Sequence, residues 1–421
     1  MQVQDKAISI IGMGYIGLPT ATMFAAAGYK VKGFDVNKRV IDTLKSGKIH
    51  IVEPDLQGLF KSVLDSGNLI PADTLEESDV FIICVPTPFK EDHEEKLADL
   101  SYVESASGEV GKVLKRGNLV ILESTVPPRT TDDIMGKALE EESGLKINED
   151  FLVAHCPERV LPGKILHELR NNDRIIGVSN KKAGELTKEL YSSIVTGGNI
   201  YLTDTITAEM CKLVENTFRD INIAFANELS IICDELGIDV WELVQLANKH
   251  PRVNILNPGA GVGGHCLAVD PWFIVEKFPK TARLIRTARE TNDYKPKWIV
   301  KKVIEDIQKK FSDKKITIGI LGLAYKPNID DLRESPALEI AKELKELGYN
   351  VIACEPNSEQ SEINSIANLK LDELIDHSDY LVYAVPHNQF KDGYKDKIRA
   401  KPFFDAVGEV KTDLLTLAKI S

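Results

Sequence analysis

The sequence predicts an α/β protein in which two doubly wound domains are joined by a long central helix and a helical middle domain. Three observations carry this. Short apolar runs without polar alternation recur between helical stretches in the first part of the chain, as strands buried on both faces do. Thr207–Leu236 then runs without Pro or Gly and spaces its apolar residues helically. A second series of strand and helix signals begins at Lys315. The 421 residues exceed one typical domain, and the expected division is 1–205, 206–312 and 313–421.

Taken in order, Ala7–Gly12 reads as a strand, Tyr15–Ala27 as a helix closed by Gly28, and Tyr29–Asp35 as the next strand. Val80–Val85 and Leu119–Glu123 are further buried strands of the parallel-sheet type, and Phe151–Cys156 and Arg174–Val178 read as two more. Gly237 ends the long helix, and more helix is expected at Val240–Asn248 and Thr281–Lys310. In the last domain Ile316–Leu321 is a strand, and Ser335–Pro336 opens a helix with an N-cap and a first-turn proline. Gly348 ends that helix, and Asn350–Glu355, Tyr380–Val385 and Pro402–Phe404 continue the sheet.

A net charge of −12 gives no footprint for nucleic acid or an anionic membrane, so an anionic ligand must be met by local Arg, Lys and helix N-termini. Apolar runs such as Val80–Val85 are too short to span a bilayer, and no leader pattern opens the chain, so a cytoplasmic protein is expected. The six cysteines, at 84, 156, 211, 233, 266 and 354, form no CxxC pair, and neither a metal site nor a disulfide framework is expected.

Gly12-Met13-Gly14-Tyr15-Ile16-Gly17 fits G-x-G-x-x-G between a strand and a helix, with Asp35 at the end of the second strand. This is the Rossmann-like cradle for a dinucleotide. The first glycine allows the turn, the second lets backbone approach a pyrophosphate, and the third packs helix on strand. Asp35 would accept ribose hydroxyls and repel a 2′-phosphate, which favours NAD; Arg39 works slightly against that preference. Ligands of open α/β sheets lie beyond the carboxyl ends of the strands, where Thr87 and Thr125 are placed to face the nicotinamide half.

The loop Pro258–Pro271 sets four glycines before Cys266 and a carboxylate, Asp270, four residues after it. A thiol presented on such a loop can attack an aldehyde. Lys212, Asn216 and Arg219, spaced by four and three, share a face of the long helix and suit an anionic, hydroxyl-rich substrate and a developing oxyanion. The competing readings are a buried thiol beside a flexible loop and a solvated helix face.

Cys-Pro-Glu-Arg-Val (156–160), Ala-Glu-Met-Cys-Lys-Leu-Val-Glu-Asn-Thr (208–217), Gly-Gly-His-Cys (263–266) and Lys-Pro-Asn-Ile-Asp-Asp-Leu-Arg-Glu-Ser-Pro (326–336) stand in this order. Through these blocks the chain resembles the UDP-glucose/GDP-mannose dehydrogenase family over essentially its whole length. Segments 216–229, 250–255 and 266–273 are similar to the branch that acts on UDP-N-acetyl-D-mannosamine. Val269 stands where the UDP-glucose branch carries Lys, and Pro162 where it carries a second Glu.

The resemblance implies a four-electron oxidation of a UDP-sugar C6 alcohol to a carboxylate, consuming two NAD, with Cys266 as covalent nucleophile. It implies that Lys212, or a water held by Asp270, takes the hydroxyl proton, and that Lys212 and Asn216 steady the oxyanions. Asp270 and Thr125 would position the hydrolytic water, with Glu158 as acid/base. Arg159, Val160, Arg219, His250, Arg252, Gly263, Tyr325 and Lys326 would join Lys212 and Asn216 in contacting the sugar nucleotide. Arg333 would reach NAD, beside Gly12, Gly14, Tyr15, Ile16, Gly17, Asp35, Arg39, Thr87 and Thr125. The last domain would hold the uridine nucleotide rather than a second NAD, and Gly319-Ile320-Leu321-Gly322 is indeed not a GxGxxG. A homodimer or higher even oligomer through the long helix is expected, with no nucleic-acid or membrane partner. Alternatives are UDP-N-acetylglucosamine or UDP-glucose as substrate, a two-electron dehydrogenase, and a non-catalytic nucleotide-sugar sensor.

Overall fold

A computed structural model describes residues 6–90, 96–161, 163–312, 315–391 and 393–410. The chain divides into two compact units, Met1–Glu215 and Asn216–Ser421.

The first unit begins β1 (Ala7–Ile11), α1 (Gly17–Ala26), β2 (Lys30–Phe34), α2 (Lys38–Lys45), α3 (Leu56–Asp65) and β3 (Leu69–Ala72). It continues β4 (Val80–Ile83), α4 (Ser101–Val113), β5 (Leu119–Leu122), and a π-helical turn Thr131–Gly136 leading into α5 (Lys137–Ser143). Then come β6 (Leu152–His155), α6 (Ile165–Asn171), β7 (Arg174–Val178), α7 (Lys181–Ser192) and β8 (Ile200–Thr203). The eight strands lie in the order β3-β2-β1-β4-β5-β6-β7-β8. The winding reverses at β1, which pairs in parallel with both β2 and β4 and leaves a crevice beyond their carboxyl ends.

Both faces of this sheet are covered, which explains the missing alternation. Ile8, Ile10, Ile82 and Ile121 pack with Leu18, Phe24, Leu166 and Leu190 on one side. Their neighbours Ile11, Phe81, Ile83, Val120 and Leu122 pack with Val103, Val110 and Leu139 on the other. One expectation needs correction: β7 pairs antiparallel with β6, not in parallel. A parallel neighbour would need a crossover back to the opposite edge. Instead the segment after β6 stays at the carboxyl end of the sheet, so β7 starts there with Arg174. Strands β3 and β8 are additions to the sequence reading.

The long helix α8 (Thr205–Leu236) is followed in the second unit by α9 (Val240–Ala247), α10 (Asp270–Lys277) and α11 (Arg283–Lys310). Pro296 stands inside α11. The second sheet is built from β9 (Thr317–Leu321), β10 (Asn350–Cys354), β11 (Glu362–Ile363), β12 (Ile366–Asn368), β13 (Tyr380–Tyr383) and β14 (Phe403–Asp405). Helices α12 (Pro336–Glu346), α13 (Leu371–His377) and α14 (Lys395–Arg399) flank it. The order β11-β12-β10-β9-β13-β14 again reverses at its first strand, β9, and only β11 runs antiparallel to its neighbour. Ile318, Ile320 and Val382 pack on α11 and α12 residues such as Val303 and Leu344, while Leu321, Leu381 and Tyr383 face Leu374 and Ile398. Ser335 caps α12 as the sequence predicts, its hydroxyl accepting from Leu338 N–H at 3.4 Å. Among the described residues no helix is long and apolar enough to cross a membrane.

Candidate active site

The turn after β1 is built for a close backbone approach. Gly12 has φ of +90°, and a Cβ there would sit 2.6 Å from the Cys84 carbonyl oxygen; one on Gly17 would collide with the Gly12 carbonyl. A Cβ on Gly14 would meet nothing within 4 Å, so the space beside it is open. No side chain caps α1 at Ile16; Leu18 N–H is taken by the Gly14 carbonyl at 3.1 Å and Pro19 carries none, so the backbone donors for an anion are those of the turn ahead of Leu18. Asp35, half-buried just past β2, accepts from Met13 N–H and from Asn37 N–H at 2.8 Å each. Tyr15 and Arg39 are exposed. Open space at Gly14, the uncapped start of α1 and the Asp35 carboxylate just past β2 fit NAD.

Beyond β4 and β5 two loops are stitched together. The Thr87 hydroxyl donates to the Thr125 carbonyl at 2.6 Å, and the Ser124 hydroxyl to the Val85 carbonyl at 2.6 Å. Beside them lies a buried cluster that the sequence reading missed. The antiparallel β7 brings Arg174 between Glu123 (3.0 Å) and Glu158 (2.6 Å). Tyr191 donates to Glu123 at 3.1 Å, and the Arg174 guanidinium lies over the Tyr191 ring. Burial pushes the Glu123 carboxyl up, with Arg174 opposing it, and pushes the Cys156 thiol up to about 12. Glu158, expected as an acid/base, pairs with Arg174 through one oxygen, and its other oxygen accepts from Arg159 N–H at 2.7 Å. The signal for this cluster was an arginine opening a strand otherwise read as fully buried.

Arg159 pairs with Glu215 at 2.7 Å, and Val160 is half-buried against the core. In α8, Glu209 accepts from Arg129 N–H (2.5 Å) and Thr131 N–H (2.7 Å), capping the π-helical turn. Burial pushes its carboxyl up to about 7. Lys212, one turn further on, is half-buried.

In the second unit Cys266 is exposed, while Asp270 is 3% exposed and opens α10. Asp270 N–H donates to the Cys266 carbonyl at 2.8 Å, so the two residues are joined by one helical turn. Asn216 donates its amide N–H to the Asp270 carboxylate at 2.5 Å. The structure thus brings three of the sequence-predicted residues onto adjoining segments. Gly263 is buried where a Cβ would strike the Glu334 carbonyl and lie 2.7 Å from Tyr325 Cβ. Gly264 N–H donates to the Arg333 carbonyl at 3.1 Å. Burial, then the Asp331 and Cys266 charges, raise the Tyr325 phenol. Lys326 is half-buried, and Arg333 forks onto Asp331 at 2.8 and 2.6 Å. Arg219, His250 and Arg252 are exposed. A cavity of about 770 Å³ elsewhere in this unit is lined by Trp241, Lys249, Arg399 and Glu409, among others, and by none of the predicted site residues.

Sequence models of the UDP-glucose/GDP-mannose dehydrogenase family match residues 6–195 (NAD binding domain), 206–294 (central domain) and 319–412 (UDP binding domain). A UDP-N-acetyl-D-mannosamine dehydrogenase of Campylobacter jejuni is 50% identical over 407 residues, covering 94% of this chain and 98% of that protein. The chain belongs to the UDP-glucose/GDP-mannose dehydrogenase family. It is an NAD-dependent oxidoreductase of nucleotide sugars. An NDP-N-acetyl-D-galactosaminuronic acid dehydrogenase of Ralstonia solanacearum is 46% identical, covering 97% of each chain. The solved structure of a UDP-D-ManNAc dehydrogenase from Pyrococcus horikoshii superposes with a TM-score of 0.88 at 42% identity, covering 96% of each chain.

In this dehydrogenase the second sheet repeats the first turn with a different outcome. Gly322 N–H donates to the Cys354 carbonyl at 2.9 Å, as Gly12 N–H does to the Phe34 carbonyl. Glu355 follows β10 as Asp35 follows β2. Glu355, however, is 1% exposed and accepts from Leu323 N–H and Ala324 N–H, both at 2.9 Å, and from His387 Nε2 at 3.1 Å. Asn328 N–H donates to His387 Nδ1 at 3.0 Å, which assigns the neutral Nε2–H tautomer. Against the burial, the His387 bond and the two N–H groups hold the Glu355 carboxyl below its usual value. The protein's own carboxylate takes the donors that a pyrophosphate would need. Nothing in the sequence marked Glu355 and His387 as partners.

Proposed function

We propose that this dehydrogenase oxidises UDP-N-acetyl-D-mannosamine at C6 to UDP-N-acetyl-D-mannosaminuronate through a covalent bond to Cys266. The observation that carries the reading is the exposed Cys266 joined by one turn to Asp270, which Asn216 holds. The names of the C. jejuni and P. horikoshii relatives favour the N-acetylmannosamine sugar over UDP-N-acetylglucosamine and UDP-glucose. Gly12, Gly14, Gly17 and Asp35 would hold NAD, with Thr87 and Thr125 toward its nicotinamide half; Arg333 is also assigned to NAD. When bound, NAD accepts the hydride of each of two oxidations.

Lys212, or a water held by Asp270, takes the C6 hydroxyl proton as the alcohol becomes an aldehyde. The Cys266 thiolate then adds to the aldehyde carbon, giving a thiohemiacetal whose oxyanion Lys212 and Asn216 steady. Loss of the second hydride leaves a thioester. Water positioned by Asp270 and Thr125, with Glu158 as acid/base, breaks the C–S bond, releasing the carboxylate and returning the thiol. Arg159, Val160, Arg219, His250, Arg252, Gly263, Tyr325 and Lys326 are assigned to the sugar nucleotide.

The parts 1–205, 206–312 and 313–421 are proposed as NAD-binding, dimerising and UDP-binding domains of a cytoplasmic homodimer or higher even oligomer. Phe218, Phe225, Ile232 and Leu236 stay exposed along α8 at spacings of seven, seven and four, the seam a helix pair would cover. The deciding assay is NADH yield on UDP-N-acetylmannosamine, UDP-N-acetylglucosamine and UDP-glucose in parallel. Two NADH per sugar and a uronate from the first support the reading; one NADH with an aldehyde or ketone overturns it. Cys266→Ala must abolish uronate formation.

A further inference from the structure

Four buried polar residues of the second unit that this chemistry leaves unused form one chain of hydrogen bonds. Arg289 donates to Asp220 Oδ1 at 2.5 Å, and Asn292 Nδ2 donates to the same oxygen at 2.8 Å. Asn227 Nδ2 donates to Asn292 Oδ1 at 2.9 Å, and Asn227 Oδ1 accepts from Gly259 N–H at 2.9 Å. Asp220, Asn227, Arg289 and Asn292 are each no more than 1% exposed. The chain therefore ends on the first glycine of the loop that presents Cys266.

A second observation points to the same loop. Residue 296 is proline, so the Asn292 carbonyl has no N–H four residues on to satisfy it. That carbonyl lies 3.3 Å from where a Cβ on Gly261 would sit, so loop backbone approaches it closely. On the other side of Cys266, Asn216 holds Asp270. Helix α8 thus grips the cysteine segment before and after the thiol, through Asn227 and through Asn216. A glycine-rich segment has wide conformational freedom, and setting a nucleophile on it requires fixed points on both sides.

We propose that Asn227, held by Asn292, Asp220 and Arg289, is the positioning residue that sets the Cys266 thiol for addition to the aldehyde. This rests on the reading of Cys266 as the nucleophile. It acts through the Gly259 N–H and touches no substrate.

The test uses full-length Asn227→Ala and Asn227→Asp, the latter retaining an acceptor oxygen for Gly259. Four quantities are measured: deuterium exchange at Gly259, alkylation of Cys266 by iodoacetamide without substrate, kcat and KM on the sugar nucleotide, and aldehyde trapped with hydroxylamine. In Asn227→Ala, Gly259 exchanges faster, the Cys266 alkylation rate changes several-fold, and kcat falls about ten-fold or more with KM little changed. Trapped aldehyde rises because addition is slowed, and Asn227→Asp, which keeps the acceptor for Gly259 but loses the donor to Asn292, recovers at most part of the Gly259 protection. Faster Gly259 exchange with unchanged alkylation, kcat and aldehyde would overturn the proposal, leaving Asn227 a purely structural group. If Asn227→Ala does not fold, Asn292→Ser breaks the same chain and is read identically. If the wild-type protein oxidises none of the sugars, the functional reading fails on its own, and the exchange and alkylation arms still decide whether Asn227 sets the thiol.

Discussion

Arg174→Met leaves two buried carboxylates facing each other without a cation. Glu123 is fully buried and Glu158 nearly so, their side chains 0% and 8% exposed, and Arg174 is the guanidinium that bridges them. Removing one partner of a buried ion pair costs about 3–5 kcal/mol, because the remaining charge must stay desolvated or be neutralised. Neutralising a carboxyl of ordinary value 4.5 at pH 7 costs about 3.4 kcal/mol, at about 1.4 kcal/mol per pH unit. The two routes agree in size. They also fix the sign of the pH dependence. In the variant the folded-state carboxyl is raised, so the stability it withholds at neutral pH returns as pH falls toward the unfolded value. Between pH 7 and 5.5 the deficit relative to wild type should shrink by up to about 2 kcal/mol for one neutralised carboxyl, less the part of that slope the already raised Glu123 gives the wild type. Urea denaturation followed by circular dichroism at both pH values measures it. A deficit under about 1 kcal/mol, or one that does not change with pH, would refute the idea that Arg174 supports buried charge.

Four further outcomes can be checked. Glu209 has a folded value of about 7, so its contribution is present below 4.5 and lost as pH rises through 7. Glu209→Gln should flatten that slope and cost about 1–3 kcal/mol at pH 5, since one of two N–H groups loses its acceptor; denaturation curves at pH 5 and 8 decide. Lys295 is buried and lowered to about 7, so stability should rise with pH between 7 and 10.5. Lys295→Met should flatten that rise and raise stability at pH 7 by about 1 kcal/mol or more, once lost contacts with Ser230 and Trp298 are offset; calorimetry against pH reads it. Gly14→Val should leave the melting temperature nearly unchanged, because its Cβ meets nothing, while weakening NAD about ten-fold or more by titration. Ser335→Ala should cost about 1 kcal/mol in urea denaturation, through loss of the α12 cap.

The fold was legible where one periodicity or one turn residue decides an element. The long helix is read from an unbroken 3.6 period, and the strands of both sheets from short apolar runs, because a strand covered on two faces needs no polar face. Strand direction was not legible. Arg174–Val178 has the same apolar texture whether it runs with β6 or against it, and only the path of the preceding segment decides. The site divides in the same way. Cys266, Asp270 and Asn216 stand out because their residue types are unusual for a glycine loop or an apolar helix. Arg174, Asp220, Asn227 and Glu355 do not, since each looks like an ordinary polar residue until its buried partner, far away in sequence, is known.

The two glycine turns show what such a partner decides. Both sheets reverse at their first strand, both turns donate a glycine N–H to the neighbouring strand, and both second strands are followed by a carboxylate. By pattern alone either could cradle a dinucleotide. Asp35 is half-buried and uses one backbone N–H of its turn, at Met13, leaving the open side at Gly14 clear. Glu355 is longer by one methylene, reaches two N–H groups, and is fastened by His387. One extra methylene and one histidine thus turn an anion site into a closed, self-satisfied corner. A nucleotide bound by the second unit must therefore be recognised through side chains and other backbone, not through the Gly322 turn.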